Sequence, residues 1–590
     1  MRDAVTKLNI IRERGQRGLP LERVYRLLFR RDLYLRAYAK LYANDGAMTR
    51  GTTVETVDGM SLRKIDQIIE QLKHERYRWT PVRRTYIPKK NGKRRPLGMP
   101  CWSDKLLQEV IRSIMEAYYE PQFSDRSHGF RPERGCHTAL QEIRRVGKGT
   151  KWFIEGDISA CFDRIDHTVL MEIIAEKIHD QRFLKLMREL LNAGFLEDWR
   201  WNATYSGVPQ GGVISPILSN LVLDRLDRFV EDELIPNHTR GSRRKTNPPY
   251  VALTVAASRA RKTGDRERAR QLSQNAQMLP SRVPDDPDFR RLWYVRYADD
   301  FLLGYTGPKS DAVEIKQQIS RFLGDRLKLQ LSSEKTLITH ARNERAKFLG
   351  YELHVHRADH KHDRRGQRCI NGSVGLRIPR AVVKTHCSKY MRGGKPVHLP
   401  QRLNDDAYGI VSLYQAEYRG LVQYYRMAYN LHTLSRVKWV AEQSLTKTLA
   451  NKLRTSRPEI YRRYRRDLQT LDGTYKVLMV TVDRGPTKEP LMAYFGGLSL
   501  RWQAKVLIDD TPSTIWSGRS ELTERLLAEE CELCGSTVNI EVHHIRKLAD
   551  LKGRTRWETV MAARRRKTLV VCQKCHQQIH AGRYDGKALA

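Results

Sequence analysis

The stretch WYVRYADDFLLGY, residues 293–305, sets two adjacent carboxylates, Asp299 and Asp300, between two runs of apolar and aromatic residues. The flanks favour a pleated, half-buried surface and the Ala-Asp-Asp between them favours a tight turn, so a β-hairpin with acids at its tip is expected. Two ionised carboxylates side by side repel each other, and a divalent cation that prefers hard oxygen ligands, such as magnesium, relieves the repulsion. A solvated turn would also use Asp, so the hairpin alone leaves both readings open.

Working outward, WFIEGDI at 152–158 reads as a buried strand with Asp157 near its end. A buried carboxylate without a partner costs several kcal/mol, so a metal or a base must answer it. Phe162 follows within SACFDRIDH, and SGVPQGGVISPILSN carries Gly207, Gly211 and Gly212 around Gln210 before an apolar helix that can start near Ser215-Pro216. Lys335 lies downstream in SSEKT, and AKFLGYELHVH reads as a strand pair turning at Gly350. Upstream, RRTYIPKKNGKRRPLGMP at 83–100 has the hairpin signal Asn91-Gly92, crowded by Lys89, Lys90, Lys93, Arg94 and Arg95, a set able to grip a triphosphate or a nucleic-acid backbone. The three acids are read as having no countercharge nearby. Three carboxylates converging on two magnesium ions are what in-line nucleotidyl transfer needs, and that defines a polymerase palm.

Composition supports a nucleic-acid partner. Among 590 residues, 107 Lys and Arg face 67 Asp and Glu, a net charge of +40 spread along the whole chain. Such a field favours a long polyanion. No run of about 18 apolar residues is present, which argues against a membrane span, and the N-terminus MRDAVTKLNIIRERG has no signal-peptide core, so a cytoplasmic protein is expected. Residues 1–75 read as basic helices ending in a turn-rich link. From 238 to 290 an inserted basic helix flanked by Pro-rich links is expected, and 405–470 reads as helices whose aromatics, interleaved with Arg and Lys, suit either core packing or stacking on RNA.

At the C-terminus, Cys531-x-x-Cys534 and Cys572-x-x-Cys575 have the spacing of a four-thiolate structural zinc site. His576 and His580 are four apart, so on a helix they share a face and can meet one ion.

IPKKNGKRRPLGMP, SHGFRPERGCHTAL, EGDISACFDRIDH, GVPQGGVISPILSN, YADD, SSEKT and FLGYEL occur in one order along the chain, and together they resemble the reverse transcriptases encoded by bacterial group II introns. YRGLVQYYRMAYN with SLTKTLANK resembles that family's domain X, the thumb and maturase region, and CELCGSTVNIEVHHI with VVCQKCHQQIH resembles its HNH endonuclease. The resemblance implies an α+β multidomain protein: a right-hand polymerase with an antiparallel palm sheet, a helical thumb and a small zinc-bound ββα-metal domain. It implies an N-terminal extension at 1–75, fingers and palm at 76–355, domain X at 370–475, a DNA-binding link at 476–524 and the HNH domain at 525–590. By the same resemblance Asp157, Asp299 and Asp300 hold the catalytic magnesium ions and Phe162 excludes a 2′ hydroxyl. Gln210, Lys89, Arg95 and Lys335 serve the incoming dNTP. His543, His576 and His580 hold the nuclease's catalytic metal, magnesium, and His544 is its general base. Thr568 stands where many HNH nucleases have Asn. The implied activity is RNA-directed DNA synthesis in a ribonucleoprotein with intron RNA, with splicing assistance and nicking of target DNA. A splicing-only maturase and a reverse transcriptase of the defence or retron lineage are the competing readings.

Overall fold

The computed structural model describes residues 2–44, 46–88, 92, 94–197, 200–202, 204, 206–207, 211–358, 361, 364, 370–483, 490–504, 506, 521–545, 551, 555–563 and 567–582. At its centre is a four-stranded antiparallel sheet in the order Arg291–Tyr297, Asp300–Thr306, Trp152–Asp157, Ile338–His340. The expected hairpin is there: Tyr297 pairs with Asp300, and Ala298-Asp299 turn between them, with Ala298 in the left-handed region at φ 55°.

Side-chain alternation on this sheet separates two cores. Ile154, Tyr294, Phe301 and Leu303 face one, built with the helices Trp102–Tyr119, Ser215–Arg228 and Lys309–Leu327 and with the N-terminal helices. Phe153, Trp293, Val295 and Leu302 face the other, built with the strands at 346–355 and 374–377 and the helices Ala407–Tyr424 and Ser435–Leu453. The period of two along each strand therefore fixes which domain lies on which face. Strands Val82–Pro88 and Arg94–Met99 form the hairpin expected around Asn91-Gly92; Lys89, Lys90, Asn91 and Lys93 lie outside the described residues.

Two expectations change in detail, and one open alternative is settled. The insertion is two antiparallel helices, Pro248–Lys262 and Arg266–Met278, because Gly264-Asp265 breaks the charged run and Asp265 caps the second helix through Arg268 N–H. The boundary expected at 475 falls inside the strand Gly473–Val482, which pairs with Arg465–Thr470 and Leu491–Phe495 and packs on the Ala407–Tyr424 helix. Residues up to 495 thus pack with that helix. Tyr414, Tyr418 and Tyr425 are buried there, so these aromatics of the region are core rather than a stacking surface.

The HNH segment forms a ββα unit from strands Ile540–His544 and Thr568–Cys572 and the helix Gln573–His580. It is docked on the N-terminal region. Gly59 N–H donates to Val542 O (3.0 Å) and Val542 N–H to Met60 O (2.9 Å). Its buried residues also continue the first core.

Candidate active sites

Strand register brings the palm acids together. Asp157 is directly opposite Asp300 across the ladder, and Asp299 is the adjoining turn residue. Burial, then the charges of Asp299 and Asp157 and a bond with Asp157, push the Asp300 carboxyl up to about 7. Burial and the charge of Asp157 also raise Asp299, while the charges of Lys335 and Arg95 hold it back. Lys335 Nζ bonds Asp157 Oδ1 at 2.8 Å, which corrects the expectation of acids without a countercharge. Lys335 is brought there because Ser332 N–H donates to Asp157 O (2.8 Å), seating SSEKT beside the strand end. One exposed ammonium against three acids leaves excess negative charge, and a cation fits that donor set of hard oxygens.

Phe162 lies on the short helix Cys161–Arg164, launched by Ala160 in the left-handed region. Its ring meets Phe130 edge-on at 6.1 Å. Burial first and the charge of Asp299 second push the neighbouring Cys161 thiol to about 12. Gly207 approaches the same helix so closely that a Cβ would fall 2.7 Å from Asp163 O, and a Cβ on Gly211 would fall 2.7 Å from Gly98 O. Gly207 thus lies against the Phe162 helix and Gly211 against the strand Arg94–Met99. Gln210 and Lys89 lie outside the described residues.

A support missed at the level of sequence lies beneath the hairpin. Arg296 is fully buried and bonds Asp227 twice, Nε to Oδ1 at 2.7 Å and Nη2 to Oδ2 at 2.6 Å. Its Nη1 donates to Ala298 O (2.9 Å) and to Asn220 Oδ1 (3.1 Å), while Tyr294 OH donates to Asp227. SHGF closes the outer edge: His128 N–H donates to Arg296 O and Arg296 N–H to Arg126 O, each at 2.9 Å. A Cβ at Gly129 would stand 2.2 Å from Ala298 N, so only glycine lets this segment lie against the turn. The available signal was an arginine at an inward position of an apolar strand.

In the HNH unit the sulfurs of Cys531, Cys534, Cys572 and Cys575 lie within 4.8 Å of one another, as a shared ion requires. Burial and the neighbouring sulfurs push the Cys575 thiol far up, because crowded thiolates repel one another unless a cation such as zinc lies between them. A second cluster, within the same 4.8 Å limit, joins His543, His576 and His580 to Asp58 from the N-terminal link. His544 is buried, which lowers it to about 3, and its Nε2 meets Tyr38 OH at 2.9 Å. Burial opposes a proton on His576, but its bonds to Asp58 and Glu541 lift it to about 9. Thr568 pairs with His544 across the strands, yet its hydroxyl accepts from Arg525 (3.3 Å). The partner of the His544 ring is thus Tyr38, and nothing in the sequence links Tyr38 or Asp58 to residues about 500 positions away.

This palm, with its acids, its Gly-rich turn and an appended ββα unit, defines a reverse transcriptase with a nuclease module. Residues 87–353 match the family described as reverse transcriptase (RNA-dependent DNA polymerase), 378–480 the type II intron maturase, and 531–576 the AI2M/AI1M-like HNH endonuclease. The chain is 39% identical to the group II intron-encoded protein LtrA of Lactococcus lactis subsp. cremoris, over 94% of this chain and 95% of that one. It is 33% identical to an uncharacterized 91 kDa protein in the cob intron of Schizosaccharomyces pombe (94% and 69%), and 30% identical to the putative COX1/OXI3 intron 1 protein of Saccharomyces cerevisiae (94% and 68%). The chain belongs to the group II intron-encoded proteins, and it is an RNA-directed DNA polymerase with maturase and HNH endonuclease regions. Among the described residues no helix is long and apolar enough to cross a membrane.

Proposed function

We propose that the protein binds its intron RNA as a cytoplasmic ribonucleoprotein, assists its splicing, and copies it into DNA from the 3′ end of a target strand nicked by the HNH unit. The observation that carries the polymerase reading is the register that sets Asp157 against Asp300 with Asp299 in the turn. These acids would hold two magnesium ions, which when bound activate the attacking 3′ hydroxyl and neutralise the leaving pyrophosphate. Lys335 now neutralises Asp157. Once that carboxylate is neutralised otherwise, the ammonium is free to turn to the incoming triphosphate, with Arg95, Lys89 and Gln210 as its companions. Phe162 fills the space a 2′ hydroxyl needs. The Cys531, Cys534, Cys572 and Cys575 thiolates hold structural zinc, and His544 takes the proton from the water that cuts DNA.

Replacing Asp299 and Asp300 together by Ala tests the palm assignment. Primer extension on an RNA template should be abolished while RNA binding, which rests on the distributed basic charge, stays close to that of the parent. Undiminished cDNA synthesis by the double variant would overturn the assignment. Intact acids and Lys335 favour a working polymerase over a splicing-only maturase.

A further inference from the structure

We propose that Asp58 is the fourth ligand of the HNH metal centre, supplied from the N-terminal region, and that in this docked arrangement it closes the nuclease to DNA. The proposal rests on the reading of His543, His576 and His580 as that centre's ligands. Three imidazoles and one carboxylate suit a four-coordinate, borderline-soft ion rather than the expected magnesium; a catalytic site for such an ion keeps one position open for water or substrate, whereas a closed site fills all four. Here the fourth position is filled. Asp58 Oδ2 lies 2.7 Å from His580 Nε2, and Oδ1 lies 3.1 Å from His576 Nε2 and 3.4 Å from His543 Nδ1. The two helix histidines present their Nε2 atoms to each other at 3.1 Å. Bonds of about 2.0–2.2 Å to one tetrahedral ion separate the donor atoms by roughly 3.3–3.6 Å, so the four side chains need only a slight expansion to share an ion.

Two further observations point to an ion there. His543 is 4% exposed, wedged edge-on against Trp557 with ring centroids 5.2 Å apart; among the described residues its Nε2 has no hydrogen-bond partner and its Nδ1 has only the long 3.4 Å contact to Asp58. A buried imidazole left so costs free energy that metal coordination would recover. His576 meanwhile bonds Glu541 through Nδ1 at 2.7 Å, the carboxylate-to-imidazole support that orients a metal-binding nitrogen.

The placement of Asp58 is built into the fold. The backbone pairing of Gly59 and Met60 with Val542 brings it beside the strand, and its Oδ1 accepts from His544 N–H at 2.8 Å. The same docking seals the base: His544 is 5% exposed, and its Nε2 is engaged by Tyr38. A scissile phosphate offers the same hard anionic oxygen as Asp58 and needs the same position. DNA can be cut only after Asp58 and the 58–60 bridge have let go, which confines nicking to the undocked domain.

The test uses the full-length protein carrying Asp299→Ala and Asp300→Ala, so that the palm does not take up the probe ion, and holding one equivalent of zinc, which the four thiolates retain while the histidine cluster stays free. Manganese is titrated and followed by electron paramagnetic resonance, its preference for oxygen and nitrogen leaving the thiolate zinc in place. Amide exchange at Gly59 and Val542 is read in parallel. In this parent, manganese should slow both amides. Asp58→Ala and Asp58→Asn should each weaken manganese binding about tenfold or more, abolish that slowing, and at saturating manganese nick target DNA several-fold faster. Asp58→Asn keeps the bond to His544 N–H and so guards against an effect of misfolding. If both variants bind manganese as the parent does while His580→Ala loses it, the fourth ligand is not Asp58. Slower nicking by both variants at saturating manganese would overturn the closure. If His580→Ala also binds as the parent does, the underlying ligand assignment is the part that fails.

Discussion

Replacing Asp227 by Asn should disable the polymerase without touching any residue that meets substrate. In the parent, Asp227 and Arg296 are both completely buried and joined by two bonds of 2.6–2.7 Å. The substitution keeps the shape but removes the charge, leaving a guanidinium in the core with no anion bonded to it. Breaking a buried pair from one side costs about 3–5 kcal/mol, or roughly 10²- to 10³-fold or more in the stability of the unit that holds it. Because Arg296 also donates to Ala298 O, the cost is carried straight into the turn that presents Asp299. Amide exchange across Asp300–Thr306 should accelerate by that factor, and primer extension should fall at least about tenfold. The pair Asp227→Leu with Arg296→Met should recover most of the exchange protection, since an apolar pair of similar size can replace a buried ion pair. It should not recover extension, because no guanidinium then bonds Ala298 O in the turn that presents Asp299. If Asp227→Asn protects and extends like the parent, the reasoning that the buried pair positions the acids is wrong.

Phe162→Val should raise ribonucleotide incorporation, measured as the ratio of kcat/KM for dNTP and rNTP; an unchanged ratio would move the steric block to another residue. Cys531→Ser should release zinc, detected by metal analysis, and unfold the 568–572 strand, whereas His544→Ala should stay folded and lose nicking by about 10²-fold or more. Extension of a supplied primer should survive both. Magnesium binding to the palm should weaken as pH falls below about 7, because Asp300 is raised to about 7 and a cation must displace its proton. The apparent dissociation constant should rise about tenfold per pH unit toward pH 5, and a constant value across that range would contradict the raised carboxyl.

Much of this molecule was legible along the chain because its signals are local. The alternation in WYVRYADDFLLGY, the Asn-Gly turn, Ser215-Pro216 at a helix start and the two Cys-x-x-Cys pairs each express a preference satisfied within a few residues. The 470–473 turn and the break at Gly264 were equally local but weaker, and there the boundaries moved. Tertiary structure alone decided what faces what across long separations. Strand pairing set Asp157 opposite Asp300, and seated Lys335 on Asp157. Burial turned Arg296 and Asp227 into a support for the turn. Docking of the HNH strand on residues 58–60 brought Asp58 and Tyr38 to histidines about 500 residues away. A side chain's charge and shape are set by its own residue, but its partner is chosen by packing, whose contacts no local spacing encodes.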